Sequence, residues 1–211
     1  MRRQRSCRRA RAALLPALVA LGCQDGQLDV IRATEVGGGD LVSPFVLDDF
    51  EDGDTQSLSI DKGYWYFQPD ATCTGGFGVE LVAGRNGSTH AVRARGGGCT
   101  EWGALLGLDL GGVGDTFDAS SFHELRLWAR AEPGTFATLS VSLLDPAHFD
   151  TEIFLTGEWQ EYVLPLDAFV FADRGAAQPF DTNGLTHLQF FVFTDQAFDF
   201  WLDDLAFVRT D

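Results

Sequence analysis

From residue 78 to residue 207 the chain is a succession of short apolar runs, each closed within about ten residues by glycine, proline, asparagine or aspartate. No long segment repeats with helical period. That rhythm constrains the fold more than any other feature, because short strands can bury their apolar faces only against one another. Residues 124–130 (ELRLWAR) show it most cleanly: Leu125, Leu127 and Ala129 share one face, and Arg126, Trp128 and Arg130 the other. Further strands are read at residues 78–82, 89–95, 102–110, 138–145, 152–155, 158–166 and 188–193. Between the first two of these, Arg85-Asn86-Gly87 carries the Asn-Gly pair favoured in tight hairpins. Roughly ten such strands predict an all-β, two-sheet jelly-roll sandwich spanning residues 45–211.

The closing strand, residues 198–207 (FDFWLDDLAF), is apolar except for acids, with Asp203 and Asp204 adjacent. An early stretch, residues 46–54 (VLDDFEDGD), answers it with the same mixture. Carboxylates inside strands are costly unless paired or bound to a cation. The reading therefore sets the first and last strands side by side, closing the sandwich and clamping a metal ion where they meet.

Residues 1–22 are not read as part of the fold. Six arginines in the first twelve positions precede an apolar run at residues 13–21, broken only by Pro16, which is the pattern of an export signal. It ends in Ala20-Leu21-Gly22-Cys23, which resembles the lipobox of bacterial lipoproteins, although that pattern prefers Leu where Ala20 stands. The expectation is a lipid on Cys23 and a location in the cell envelope, anchored to the outer membrane or the cell surface. The alternative is an ordinary cleaved signal with an incidental cysteine. Residues 23–44, with Gly37-Gly38-Gly39, read as a flexible tether. Loss of the six signal arginines from the 15 Lys+Arg leaves nine against 31 Asp+Glu, so the formal charge moves from −16 to −22. So acidic a surface repels phosphate backbones and argues against nucleic acid. It suits cations, Ca²⁺ above all. With Cys7 in the signal and Cys23 at its end, Cys73 and Cys99 remain as a pair, read as a disulfide.

Asp49-Phe50-Glu51-Asp52-Gly53 resembles the opening of galactose-binding-like jelly-roll domains. So do Leu127-Trp128-Ala129-Arg130-Ala131, Leu155-Thr156-Gly157-Glu158-Trp159-Gln160-Glu161-Tyr162, Leu164-Pro165-Leu166 and Phe200-Trp201-Leu202-Asp203-Asp204-Leu205. These domains include carbohydrate-binding modules, among them the family 11 type, and the related complex I intermediate-associated protein. Gly63-Tyr64-Trp65-Tyr66 and Trp102-Gly103-Ala104 are similar to a set of exported bacterial lipoproteins of this class. The resemblance covers about residues 46–208 and implies two sites. One is a structural Ca²⁺ held by Asp49, Glu51, Asp203 and Asp204. In a regular strand Asp203 and Asp204 face opposite ways, so at most one would point inward as a ligand. The other is a sugar groove on a concave sheet, lined by Arg126, Trp128 and Arg130, by Gln189 with Phe191 and Phe193, and at its end by Tyr64 and Tyr66. Phe191 and Phe193 stand where relatives tend to be polar. The alternative is that loops cover this face and its aromatics simply pack.

No G-x-S-x-G or H-E-x-x-H motif occurs, and His90, His123, His148 and His187 are scattered. The expected function is a non-catalytic module that binds a polysaccharide or other glycan. A structural or protein-interaction lipoprotein of the envelope is the alternative.

Overall fold

The alternation of apolar and polar residues builds two antiparallel sheets. The structure is a computed structural model that describes residues 43–209, apart from 62, 76, 77, 113, 114, 145, 146, 174 and 175. The signal at 1–22, Cys23 and the tether as far as residue 42 lie outside the described residues. In chain order the strands are β1 (Phe45–Asp48), β2 (Trp65–Pro69), β3 (Val79–Val82), β4 (Ala91–Gly96), β5 (Ala104–Asp109) and β6 (Glu124–Ala131). Then follow β7 (Thr138–Leu144), β8 (His148–Phe154), β9 (Gln160–Pro165), β10 (Val170–Phe171), β11 (His187–Val192) and β12 (Phe198–Val208). The first sheet runs β3-β4-β12-β6-β9 with β1 also on β12, and the second runs β10-β8-β7-β11-β5-β2. This is the jelly-roll sandwich expected from the sequence, with β10 added as a two-residue edge strand that the apolar pattern did not reveal.

Every strand contributes alternate residues to one core. Leu125, Leu127, Ala129 and Ala131 of β6 are buried, as are Phe198, Phe200 and Leu202 of β12. The second sheet answers with Ala104, Leu106 and Leu108 of β5, Leu139, Val141 and Leu143 of β7, and Leu188, Phe190 and Val192 of β11. Each fully buried Leu or Phe stabilises the fold by about 1.5–3 kcal/mol. A polar clamp crosses this core. Asp48 on β1, fully buried, accepts from Trp65 Nε1 of the second sheet at 2.8 Å and from the Phe50 amide at 2.8 Å. Burial pushes its carboxyl up to about 7, against the lowering effect of those two donors.

The first and last strands do lie side by side. Phe45, Val46 and Asp48 pair with Phe207, Ala206 and Leu205, while the other half of the same edge of β12 pairs with β4. The last strand is not regular, however. Asp203 is opposite Trp128 and Ala206 opposite Arg126, so one extra residue bulges between them. Asp204 takes a left-handed φ of +49°, a conformation aspartate tolerates better than most residues. The expectation that Asp203 and Asp204 face opposite ways fails at this bulge, because both carboxylates meet Arg85. The expected tight Asn-Gly turn forms across Asn86-Gly87, at the tip of a longer connection. β3 and β4 are paired antiparallel, and the connection runs from residue 83 to residue 90, with its own turn closed by Ser88 N–H to Arg85 C=O at 2.9 Å.

Candidate functional site

On the second sheet the outward residues form a grid set by strand register. One row crosses all six strands as Tyr66, Gly107, Gln189, Ser142, Asp150 and Val170. A neighbouring row holds Gln68, Leu105, Phe191, Ser140 and Glu152, and on the other side stand Asp109, His187, Leu144 and His148. The polar groups here are tied to one another. Gln189 Nε2 donates to Tyr66 Oη at 2.8 Å, and Ser142 and Ser140 both donate to the Asp150 carboxylate. At one margin His148 pairs with Asp173 at 2.9 Å. Burial keeps the Tyr66 phenol above its ordinary pKa, so it is protonated at neutral pH.

Two atoms of this grid have no hydrogen-bond partner although they are screened from water: Gln189 Oε1 and His187 Nδ1. Aromatic groups flank them. Tyr64 lies 5.9 Å from Tyr66, Tyr66 meets His187 edge-on at 6.1 Å, and Phe191 stacks on Phe193 at 5.4 Å. Several remain open to solvent: Tyr64 is 45% exposed, Phe193 58% and Phe154 69%.

The outward face of the first sheet also leaves buried polar atoms without partners, Trp128 Nε1 and Arg130 Nε, but its aromatic planes are covered. Arg126, Trp128 and Arg130 stand on it as expected, but each is engaged. Arg126 holds Glu124 through two donors at 3.0 and 2.8 Å. Arg85 lies over Trp128 at 4.5 Å. Arg130 lies over Trp201 at 3.9 Å and faces Trp159 at 5.6 Å, while Arg93 covers Trp201 at 4.7 Å and grips Asp199 through two donors. This is an interleaved stack of guanidinium and indole planes. The single groove expected from the sequence is therefore divided. Arg126, Trp128 and Arg130 lie on one outer face of the sandwich, and Gln189, Tyr64 and Tyr66 on the other. Period-two alternation separates inward from outward residues, but it does not say which sheet a strand joins.

The acids assigned to calcium gather near one end of the first face, around the loop at residues 83–90. Glu51 accepts from Ser88 Oγ and from the Thr89 and His90 amides at 3.0, 2.7 and 2.9 Å. Those donors outweigh the partial loss of water and hold its carboxyl below the usual range. The Asp204 carboxylate is clamped by the Arg85 guanidinium, with Nε at 2.7 Å, and Asp203 accepts from the Arg85 amide at 3.3 Å. Desolvation, then the nearby Asp204 charge, pushes Asp203 up to about 7, and its Oδ1 has no partner. This donor set does not fit Ca²⁺. A divalent ion at Asp204 would share the carboxylate with a guanidinium, and no three of Asp49, Glu51, Asp203 and Asp204 bring oxygens within 4.8 Å of one another among the described residues. Arg85 supplies the positive charge at the meeting of first and last strands.

Cys73 and Cys99 form the expected disulfide, closing a 26-residue separation between β2 and the end of β4. Beside it Asp70, 4% exposed, accepts from the Thr72 hydroxyl and from the Gly103, Thr72 and Glu101 amides. Burial alone would raise its pKa, but these donors outweigh it and hold the carboxyl at about 2. Asp70 and the two sulfurs lie within 4.8 Å of one another, yet the sulfurs are bonded to each other, so this cluster is a structural knot.

Sequence reasoning missed Arg85, Trp159 and Trp201 as a stack, because their contacts join residues far apart in the chain. It also missed His187, Ser140, Ser142 and Asp150 as companions of Gln189. The alternation of residues 138–144 and 187–193 already marks Ser140, Ser142 and His187 as outward; only the strand pairing brings them together.

No protein-family model matches the chain, and no curated protein matches it in sequence. Solved structures do match. The family 11 carbohydrate-binding module of the cellulosomal cellulase Lic26A-Cel5E of Clostridium thermocellum superposes with a TM-score of 0.57 at 13% identity, over 80% of this chain and 96% of that one. A family 11 module from Clostridium thermocellum in complex with a β-1,3-1,4-mixed-linked tetrasaccharide gives 0.56 at 13% identity, over 79% and 96%. The family 30 module of the Clostridium thermocellum cellulosomal cellulase Cel9D-Cel44B gives 0.52 at 16% identity, over 70% and 92%. At these identities the likeness is one of fold: residues 43–209 form a jelly-roll sandwich of the kind these carbohydrate-binding modules share.

Proposed function

We propose that this protein is a non-catalytic module that binds an uncharged glycan chain on the outer face of the second sheet. The observation that carries the reading is the combination on that face of solvent-open aromatic rings with unpartnered polar atoms, on a floor without cationic side chains. Its strand residues include Asp109, Asp150 and Glu152 but no lysine or arginine. Uronates and sulfated sugars would be repelled there, whereas neutral hydroxyls can donate to carboxylates and to the Gln189 carbonyl. Pyranose C–H faces carry slight positive charge and lie well against the negative face of Tyr64, Tyr66 or Phe193. The solved family 11 module with its mixed-linked tetrasaccharide supports the choice of glycan to try first.

The test is calorimetric titration with that tetrasaccharide, backed by a glycan array, on wild type, Tyr66→Ala and Trp128→Ala. Binding that falls at least tenfold in Tyr66→Ala and survives in Trp128→Ala is expected. The reverse pattern would move the site to the first sheet. No binding to any glycan would leave the protein-interaction reading in its place. We further propose that the chain is exported and anchored through a lipid on Cys23, displaying this face at the envelope. Metabolic labelling with a radioactive fatty acid should mark wild type and spare Cys23→Ala; equal labelling would remove the anchor.

A further inference from the structure

We propose that Gly107 is the positioning residue of this face: by lacking a side chain it lets Tyr66 lie down across β5 as a fixed platform. The inference rests on the glycan reading above for its functional consequence, but its geometry stands alone. Gly107 sits at the centre of the second sheet, paired with Tyr66 on one side and Gln189 on the other. A tyrosine on β2 would ordinarily stand off the sheet, perpendicular to the strands. Here the far half of the Tyr66 ring covers Gly107 instead. A Cβ placed on Gly107 would come within 2.6 Å of Tyr66 Oη and 2.8 Å of Cε1, distances that real Cβ atoms do not reach. Gly107 shows no left-handed backbone, so its value at this strand position is the space it leaves.

The recumbent ring has two consequences. Its hydroxyl reaches Gln189, two strands away, at 2.8 Å, which commits the amide nitrogen and leaves Oε1 without a partner. An unmatched buried acceptor is unfavourable, so a ligand hydroxyl that displaces its cover and donates to it gains more than one meeting a satisfied group. The ring also turns a broad face away from the sheet between Tyr64 and His187, where a sugar ring can stack. A side chain at 107 would lift Tyr66, break the bond to Gln189 and remove both features together. Gly107 thus acts on the ligand only through Tyr66.

The experiment is a double-mutant cycle with Gly107→Ala, Tyr66→Ala and both together, read by melting temperature, tetrasaccharide affinity and the NMR signals of the Tyr66 ring. In Gly107→Ala the ring signals should move, the melting temperature fall and the affinity drop at least tenfold. Once Tyr66 is alanine, adding Gly107→Ala should change neither the melting temperature nor the residual affinity. Equal losses from Gly107→Ala with and without Tyr66, or unmoved ring signals, would overturn the positioning role. If wild type binds no glycan, the functional reading fails, while the melting temperatures and ring signals still judge the Gly107–Tyr66 coupling.

Discussion

The two outer faces of this sandwich are made from similar materials and solve different problems. On the first sheet Arg85, Arg93 and Arg130 interleave with Trp128, Trp201 and Trp159, and Asp199 and Asp204 take the guanidinium donors. On the second sheet Tyr64, Phe193 and Phe154 stay open, and Gln189 Oε1 and His187 Nδ1 go without partners. A surface whose aromatic planes are already covered by guanidinium groups has little to offer a ligand, because binding must first undo contacts of comparable strength. Unmatched polar atoms occur on both faces, Trp128 Nε1 and Arg130 Nε on the first, so what sets the second apart is that its rings are open beside a Gln189 acceptor that gains by taking a hydroxyl. An array of tryptophan and arginine on a strand can therefore indicate stability, and a less conspicuous row of tyrosine, glycine and glutamine can indicate recognition.

Breaking the first face should have the largest effect on stability. Arg85→Ala strands Asp204 in a buried setting and uncovers Trp128, while the main-chain N–H to Asp203 remains, and removal of one member of a buried ion pair costs about 3–5 kcal/mol. A urea titration at neutral pH should show that loss; a change below about 1 kcal/mol would mean the face is not held by this clamp. Tyr66→Ala, on the open face, should shift the same titration much less while removing glycan binding.

Titration comes next in size. Asp48 and Asp203 both have folded pKa values raised to about 7, so the folded chain holds their protons more tightly than the unfolded chain does. Their contribution to stability is complete below the unfolded carboxylate range, near pH 4, and is lost as pH rises toward 7. Asp203→Asn, beneath Arg85, should flatten the decline in stability between pH 4 and 7, and Asp48→Asn should do so independently at the core. Melting temperatures across that range check both; slopes identical to wild type would show that the two carboxylates are ionised throughout. The smallest effect is expected at Arg126, whose pair with Glu124 is partly open to solvent. Arg126→Ala should cost under about 1 kcal/mol and leave glycan affinity unchanged, and a larger loss would extend the closed network to that end of β6.

Much of this was legible in the residues. The alternation of 124–130 placed Leu125, Leu127 and Ala129 inward and Arg126, Trp128 and Arg130 outward, and the acids of the first and last strands announced their meeting. The Cys73–Cys99 pair followed from the count. What the acids alone did not reveal is that the charge balancing Asp204 comes from Arg85, 119 positions earlier and with no local pattern to mark it. The bulge that turns both Asp203 and Asp204 toward Arg85 was equally silent, since a left-handed aspartate leaves no periodic trace.

By itself, then, the sequence determined the all-β class, the side of each strand that faces the core and the disulfide, all of which depend on period two or on counting. Only the tertiary structure decided which outward residues share a surface, because that depends on strand partners far apart in the chain. β11 lies between β5 and β7 in one sheet, and β12 between β4 and β6 in the other. That division places Gln189 beside Tyr66 and parts both from Trp128.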